Sequence, residues 1–265
     1  MNRMKIGVSL ECLGLPFRQA LLTATREGAQ SIQVSVSREI HPQTLSATGR
    51  REVAHHIRSH NLELANIYCP MNNGLDCEQN LEPRIQYVCS VIEFARDIGT
   101  RVISLVMGQV PEKDDSKNGR VLRESLQVIF ALADRVGVQV AVETGLESGK
   151  ILGDYLRKFD FGSVGVTLDP VNLEINQLDA MEALRELKDY VRVVHARDVK
   201  KGGISRAARE TSLGDGGFDW PLYGMILAQN GYEGSLIVER EEGDQKPFDT
   251  LKGLKYLKNI LALPI

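Results

Sequence analysis

The sequence predicts a single (β/α)8 TIM barrel, because short apolar runs alternate with segments of helical periodicity along the chain. Such alternation implies parallel strands joined by right-handed crossover helices. The length of 265 residues is close to the roughly 250 residues typical of a closed barrel of eight units. An open doubly wound sheet is the alternative, but no G-x-G-x-x-G sequence follows the first strand. The composition shows no break, so we expect one domain over residues 1–265.

The predicted strands share a common pattern. Each is rich in Val and Ile and is bounded by Gly, Asn, Asp, Ser or charged residues. In order, the runs are MKIGVSL (4–10), SIQVSVS (31–37), LELANIYC (62–69), RVISLVMG (101–108), VQVAVETG (138–145), VGVTLDP (164–170), VRVVHARD (191–198) and SLIVERE (235–241).

Amphipathic segments lie between these runs. The first, residues 16–29, opens with proline and closes near a glycine, as helices commonly do. The third, residues 84–99, has apolar residues on one helical face. Asp219 is predicted to cap the seventh helix, with Pro221 in its first turn. The other predicted helices cover 44–60, 119–137, 178–189, 220–232 and 249–263, and the second and sixth have the weakest patterns.

The longest irregular segment is KKGGISRAARETSLGDGG (200–217), which is predicted to be a loop after the seventh strand. Its basic residues and glycines are compatible with closing over a ligand or meeting a phosphate, since barrels often bind phosphate near these loops. Solvated loop charges are the simpler interpretation. The residues concerned are Lys200, Lys201, Gly202, Gly203, Arg206 and Arg209.

Composition excludes several classes of protein. A net charge of −3 gives no basic surface for nucleic acid or acidic membranes. No apolar run is long enough to cross a bilayer, and the N-terminal run is too short for a signal peptide. The four cysteines have no C-x-x-C spacing, which favours reduced thiols in a cytoplasmic protein.

Four polar side chains stand at the ends of four consecutive predicted strands. These are Glu143, Asp169, His195 and Glu239, and the steps from 143 to 169 and from 169 to 195 each equal 26 residues. The C-terminal ends of barrel strands meet at the ligand-binding rim. Three carboxylates and one imidazole there would repel one another without a cation. Oxygen ligands plus one imidazole predict a single divalent metal ion, Mn²⁺ before Mg²⁺, Co²⁺ or Zn²⁺.

The same stretches resemble the xylose isomerase-like family of TIM barrels, the sugar phosphate isomerases and epimerases. The motifs are VAVETG with Glu143, VTLDPVN with Asp169, VVHARD with His195 and LIVERE with Glu239. LGDGGFDW (213–220) is similar to the closing segment of that family. The resemblance implies that these four residues bind one divalent metal ion and that the two glutamates form an acid–base pair, as they do in the epimerase branch of the family.

Such a site predicts an isomerase or epimerase of a small ketose, phosphorylated or not. The metal would polarise the carbonyl and stabilise the enediolate formed when a neighbouring carbon loses its proton. Glu143 and Glu239 are the candidate catalytic residues, because a base must lie within reach of that proton. Loss of a β-hydroxyl from the same enediolate would instead give a dehydratase of a keto-polyol or a dehydroshikimate-like acid. The metal ligands alone do not choose among these outcomes.

Further polar residues are candidates for binding the substrate. Arg197 lies two residues beyond His195, so strand periodicity places it on the same face, where a salt bridge with Asp198 or another acid is the alternative. Asn172 stands where some epimerase relatives have a histidine. Glu147 could reach a hydroxyl or could simply be a solvent-facing residue at a helix start. Glu11, Gln33 and Asn66 come from the first three strands and are predicted to contact the rim.

Two other functions remain open from the sequence. An endonuclease for abasic DNA can share this barrel, but the third and fourth strands end in NIYCP and LVMGQ without the histidines such an enzyme needs. The negative net charge also disfavours binding to phosphate backbones. A non-catalytic sugar or metal binder is compatible with every motif. The expected partner is a small sugar. The sequence does not decide whether the chain forms a homo-oligomer.

Overall fold

The computed structural model describes residues 4–200 and 208–261 and shows a closed barrel of parallel strands. This confirms the predicted (β/α)8 architecture. The barrel strands are β1 (Lys5–Ser9), β2 (Ser31–Ser35), β3 (Glu63–Tyr68), β4 (Val102–Leu105), β5 (Gln139–Glu143), β6 (Val164–Leu168), β7 (Val191–Ala196) and β10 (Ser235–Val238). Around the barrel the order is β1–β10–β7–β6–β5–β4–β3–β2, and every neighbouring pair is parallel.

Nine α-helices lie within the described ranges, and most match the predicted segments. The side chains of Ser46, Ser116 and Ser148 accept hydrogen bonds from backbone N–H groups in the first turns of three of them, which stabilises those helix starts. The helices are α1 (Phe17–Arg26), α2 (Ala47–Ser59), α3 (Leu81–Ile98), α4 (Lys117–Val136), α5 (Gly149–Leu156), α6 (Pro170–Ile175), α7 (Ala180–Leu187), α8 (Trp220–Gln229) and α9 (Lys246–Leu261).

The predicted cap of α8 is confirmed. The Asp219 carboxylate accepts a hydrogen bond from the backbone N–H of Leu222 at 3.0 Å, and Pro221 lies in the first turn. Helix α5 had no clear sequence pattern, because it has only 8 residues and two of its buried positions are glycines, Gly149 and Gly153. Helix α6 is only 6 residues long, which is too short to show a helical periodicity in the sequence.

The described part of the segment 200–217, residues 200 and 208–217, is more regular than the predicted loop. Strand β8 (Asp198–Lys200) pairs in antiparallel fashion with β9 (Arg209–Thr211). The buried Asp198 carboxylate accepts four backbone N–H groups, at 2.8 to 3.1 Å, from residues 199, 214, 216 and 218. A Cβ atom at Gly216 would come within 2.0 Å of that carboxylate, so this turn requires glycine. Lys201, Gly202, Gly203 and Arg206 lie outside the described residues.

Register places the site residues side by side. Leu168 pairs with Val194 and Ala196 pairs with Val238, so the residues that follow β6 and β10 lie beside the end of β7. The last four barrel strands end earlier than predicted, at Glu143, Leu168, Ala196 and Val238. Within the described ranges, no helix combines the length and apolar character needed to cross a membrane.

Candidate metal centre and active site

The four predicted strand-end residues meet at the C-terminal end of the barrel. Glu143 is the last residue of β5, His195 lies within β7, Asp169 directly follows β6, and Glu239 directly follows β10. His195 Nδ1 lies 3.0 Å from Glu239 Oε2, 3.6 Å from Glu143 Oε1 and 3.8 Å from Asp169 Oδ2. Three carboxylates therefore surround one ring nitrogen, in the arrangement that the sequence predicted.

The donor atoms fit a divalent cation. Glu143 Oε2, His195 Nδ1 and Glu239 Oε2 are buried and form no hydrogen bond, although the last two atoms lie 3.0 Å apart as an ion pair. Ligand atoms from Glu143, Asp169 and His195 all lie within 4.8 Å of one another. Buried polar atoms without partners are rare, because each forfeits its hydration without compensation. A cation among them would satisfy all of these atoms and neutralise the carboxylate charge, so these residues can bind a metal ion.

Mutual electrostatics shift the protonation of the cluster. Burial would raise the pKa of Asp169, but the charges of Arg197 and His195 outweigh it and lower that pKa to about 2. Burial disfavours a charged imidazole, yet Glu239, Asp169 and Glu143 raise the pKa of His195 well above its usual value. Burial also raises the pKa of Glu239, which the charge of His195 only partly offsets. Opposite charges at short range thus outweigh the burial of Asp169 and His195, whereas burial still dominates at Glu239.

Asp169 has two separate tasks because its oxygens face different ways. Oδ1 accepts hydrogen bonds from the backbone N–H groups of Val171 and Asn172, at 2.9 and 2.8 Å, and caps helix α6. Oδ2 faces the cluster and accepts a hydrogen bond from Arg197 Nη1 at 2.8 Å. The cap fixes the rotamer of the side chain, so Oδ2 is presented to the site in one orientation.

Arg197 is at the centre of a buried charge network. Only 2% of its surface is exposed, and every guanidinium nitrogen has a carboxylate or amide partner. Nε donates to Glu210 Oε1 at 2.9 Å, Nη1 donates to Asp169 Oδ2 and to Asn172 Oδ1, and Nη2 donates to Glu241 Oε2 at 2.7 Å. The side chain therefore shares the face of His195, as predicted, and its ion-pair partners do not include Asp198. The substrate-binding role predicted for it stays a prediction.

Asn172 connects this network to the metal cluster. Its Oδ1 accepts a hydrogen bond from Arg197 at 2.7 Å, and its Nδ2 donates to Glu143 Oε1 at 3.0 Å. These contacts fix the orientation of the amide. Gly145 has φ +145°, and a Cβ atom there would lie 2.7 Å from the Cβ of Asn172, so the close approach requires glycine. A substrate contact by Asn172 stays a prediction.

Gln33 and Asn66 lie beneath the cluster, and both side chains are fully buried. Gln33 Nε2 donates to Glu239 Oε1 at 3.1 Å, and Gln33 Oε1 lies 2.9 Å from His195 Nε2. Asn66 Nδ2 donates to Gln33 Oε1 at 2.7 Å. Both residues were predicted to lie near the rim on strands β2 and β3. The structure shows that they belong to a polar layer under the site, and a substrate contact by Asn66 stays a prediction.

A cavity of about 300 Å³ opens beside the cluster, and Glu239 forms part of its wall. Tyr68, Glu241, Lys246 and the exposed Glu11 also line it. A cavity of this size can contain a small polyol. Tyr68 ends strand β3, and its ring centroid lies 6.4 Å from that of His195. Burial and the nearby Glu143 raise the pKa of Tyr68 above its usual value, so the phenol stays neutral.

Several of these contributors were missed in the sequence, among them Tyr68 and Glu210. Tyr68 is a strand-end residue like Glu143, so the same positional rule applied to β3 would have found it. Glu210 lies within the segment predicted to be a loop, and no periodic or motif signal relates it to Arg197. Only the pairing of β8 with β9 brings its carboxylate to the guanidinium.

Glu147 lies in the loop between β5 and α5, and one of its carboxylate oxygens is buried without a partner. Burial raises the pKa of Glu147 to about 7, although a hydrogen bond from the backbone of Val110 opposes the shift. The side chain is thus not the fully solvated residue considered as the alternative. The substrate contact predicted for it stays a prediction.

Replacing Glu147 by glutamine is expected to change how stability depends on pH. A carboxyl whose pKa is raised on folding stabilises the protein below about pH 4.5, and this contribution is lost as pH rises toward 7. The Glu147→Gln variant should match the wild type near pH 4.5. At pH 8 it should be more stable by about 1 kcal/mol, a figure reduced for partial solvent exposure.

Urea unfolding at pH 4.5, 6 and 8 measures this difference. The exposed Glu124→Gln variant is the matched control, and its stability relative to wild type should not vary with pH in this way. A constant difference between Glu147→Gln and wild type across the range would contradict the prediction.

Comparison with known proteins agrees with this fold. A profile of the xylose isomerase-like TIM barrel family matches residues 22–260. An inosose dehydratase from Clostridium perfringens is 26% identical over 159 residues, which cover 52% of this chain and 54% of that protein. The chain spans about half the length of the curated relatives it matches.

Two solved structures illustrate the likeness in three dimensions. A xylose isomerase domain protein from Planctomyces limnophilus has a TM-score of 0.82 and 25% identity, covering 98% of this chain and 95% of that one. A D-tagatose 3-epimerase-like protein has a TM-score of 0.79 and 16% identity, covering 98% of this chain and 97% of that one. At that identity the second likeness concerns the fold alone.

Proposed function

Because this chain belongs to the xylose isomerase-like TIM barrel family, we propose that it is a divalent-metal-dependent enzyme that removes a proton next to the carbonyl of a keto-polyol. The outcome we favour is loss of a β-hydroxyl group as water, which makes the enzyme a dehydratase. Mn²⁺ is the metal that we expect.

One observation carries the proposal. Glu143, His195 and Glu239 each have a buried polar atom that forms no hydrogen bond, and their side chains meet at the C-terminal end of the barrel beside an open cavity. A structural role would not require partnerless carboxylate oxygens at the end of a barrel where ligands bind. A bound divalent cation would supply Lewis-acid polarisation of the substrate carbonyl.

The residues of this chain would do the rest of the chemistry. Glu143 and Glu239 come from β5 and β10, which are separated in the barrel by β6 and β7, so their carboxylates approach the site from different sides. One carboxylate would accept the proton from the carbon next to the carbonyl, and the other would donate a proton to the departing group. Asn172 and Gln33 hold one oxygen of each carboxylate by a hydrogen bond.

Dehydration balances without a redox partner. The C–H electrons form the new C=C bond, the β-carbon–oxygen bond breaks, and the hydroxyl leaves as water with one added proton. The relatives that support this outcome are inosose dehydratases, so a cyclic keto-polyol of the inosose type is the first substrate to test. Asn172 also supports it, because its amide is engaged by Arg197 and Glu143 where some epimerase relatives have a histidine for the substrate.

Epimerisation or isomerisation is the second candidate. Two carboxylates on separate strands favour it, because one could remove a proton and the other return it to the opposite face or to the neighbouring carbon. This candidate predicts a product of unchanged mass.

The two candidates separate in one experiment. The purified protein, stripped with chelator and reloaded with Mn²⁺, is incubated with an inosose, D-fructose and D-tagatose in D₂O. We expect the inosose to give an ultraviolet-absorbing conjugated product and loss of water by mass spectrometry, only in the reloaded sample. Carbon-bound deuterium in a ketose that has lost no water would support the second candidate. No turnover of any substrate by metal-loaded protein would contradict both.

A further inference from the structure

A continuous series of buried polar side chains crosses the barrel below the metal cluster. Thr167 Oγ1 lies 2.6 Å from Ser104 Oγ, and Asn66 Nδ2 donates to Ser104 Oγ at 2.7 Å. The same Asn66 nitrogen donates to Gln33 Oε1 at 2.7 Å. These four side chains have no exposed surface and come from β6, β4, β3 and β2. Four strands thus supply a polar layer where apolar packing would be expected.

This layer fixes the orientation of the Gln33 amide. Asn66 Nδ2 is a donor, so the Gln33 atom that it contacts must be the acceptor oxygen Oε1. The Gln33 nitrogen then faces Glu239 Oε1 at 3.1 Å and donates to it. The flipped amide would bring two N–H donors together at Asn66 and would place an oxygen against the carboxylate. Both contacts would be repulsive, so only one orientation satisfies the neighbours.

The orientation of Gln33 determines the tautomer of His195. Gln33 Oε1 lies 2.9 Å from His195 Nε2, and an amide oxygen can only accept a hydrogen bond. His195 Nε2 must therefore carry a proton. When the ring is neutral, as a metal ligand must be, the other nitrogen, Nδ1, then carries the lone pair, and it is the nitrogen that faces the three carboxylates.

We infer that Gln33 is a positioning residue that fixes His195 as the Nε2–H tautomer, so that Nδ1 binds the metal, and that orients Glu239 with Oε2 toward the same ion. The inference rests on the metal centre of the proposed function. The same amide group acts on two ligands from β7 and β10, which explains why a polar side chain occupies this fully buried position on β2. Partners of this kind commonly change metal affinity about 10- to 100-fold when removed.

Gln33→Met is the variant that tests the inference. Methionine has a similar length but neither donates to Glu239 nor accepts from His195. Gln30→Met is the matched control, because Gln30 directly precedes the same strand and its exposed side chain contacts the backbone N–H of Ile6, at the opposite end of the barrel. Competition with a chromogenic chelator measures Mn²⁺ affinity. We expect Gln33→Met to bind Mn²⁺ about 10- to 100-fold more weakly, and Gln30→Met to remain within about twofold of wild type.

A spectroscopic readout separates this role from simple structural support. Long-range ¹H–¹⁵N correlation spectra of histidine-labelled, Zn²⁺-loaded wild type report which ring nitrogen is protonated and which is bound to the metal. We expect protonated Nε2 and metal-bound Nδ1 for His195, and a loss of this single pattern in Gln33→Met. The wild-type spectrum does not depend on how well the variant folds.

The outcomes distinguish the inference from the proposed function. Metal bound through Nε2 in the wild type would overturn the inference, and so would unchanged Mn²⁺ affinity in Gln33→Met. In either case the metal-dependent function would still stand. If the wild type bound neither Mn²⁺ nor Zn²⁺, the proposed function would fail and the inference would fail with it.

Discussion

Replacing Glu239 by glutamine is expected to lower kcat by about a thousandfold at saturating Mn²⁺. General acid–base catalysis by a positioned side chain contributes typically about 10²- to 10⁴-fold, and an amide cannot accept the proton. The amide has the same shape, and its oxygen can still accept the hydrogen bond that Gln33 donates to Glu239. The fold should therefore be retained. Steady-state kinetics with the substrate identified in the panel measures the effect.

The matched control is Glu242→Gln. Glu242 lies three residues further along the chain and its side chain is exposed, so we expect its kcat to stay within about twofold of wild type. Saturating metal separates loss of a base from loss of a ligand, and metal content is measured in the same samples. A Glu239→Gln variant that retains more than a tenth of wild-type kcat with metal bound would contradict a role in proton transfer.

The corresponding Glu143→Gln variant completes the experiment. Glu143 accepts a hydrogen bond from Asn172 and lies 3.6 Å from His195 Nδ1, so it is placed to bind the same ion in the proposed function. Both variants should lose turnover. Only the variant that lacks the proton-abstracting carboxylate should also lose exchange of substrate hydrogen with D₂O. The exchange measurement thus shows which of the two glutamates removes the proton and which one donates a proton to the leaving group.

The predictability of this site follows from the geometry of parallel strands. Glu143, Asp169, His195 and Glu239 each follow an apolar run, and parallel strands in a closed barrel all end at the same rim. A pattern in one dimension is then enough to place them together. Their convergence within about 4 Å of His195 Nδ1 needed no knowledge of the loops.

What surrounds the four residues was harder to predict, because it depends on side-chain direction and on distant pairing. Gln33 and Asn66 look like rim residues in the sequence, since their strands are short and the periodicity does not reveal the irregular register between β2 and β3. Glu210 reaches Arg197 only through the β8–β9 hairpin. Sequence patterns predict which residues are buried and which element they form. These contacts depend instead on which polar groups lie next to each other in the folded chain.

The partners of Arg197 imply a second large effect. Replacing Arg197 by methionine is expected to reduce the free energy of unfolding by about 3 to 5 kcal/mol, because it leaves buried carboxylates without their cation. Asp169 and Glu210 are both buried in contact with the guanidinium, at 2.8 and 2.9 Å. Urea unfolding of the metal-free protein at pH 7 measures the loss. Arg96→Met is the matched control, since Arg96 forms an exposed ion pair with Asp97, and such pairs contribute at most about 1 kcal/mol.

A second substitution tests the reason for this loss. If the cost comes from the unpaired buried charge, then Glu210→Leu in the Arg197→Met background should recover part of the stability, because it removes one of the uncompensated carboxylates. Glu210→Leu alone should destabilise the protein, since Arg197 and Arg240 would both lose a partner. A double variant as unstable as the sum of the two single variants would show that the charges of Arg197 and Glu210 are not coupled, and would contradict the explanation from unpaired charge for this pair.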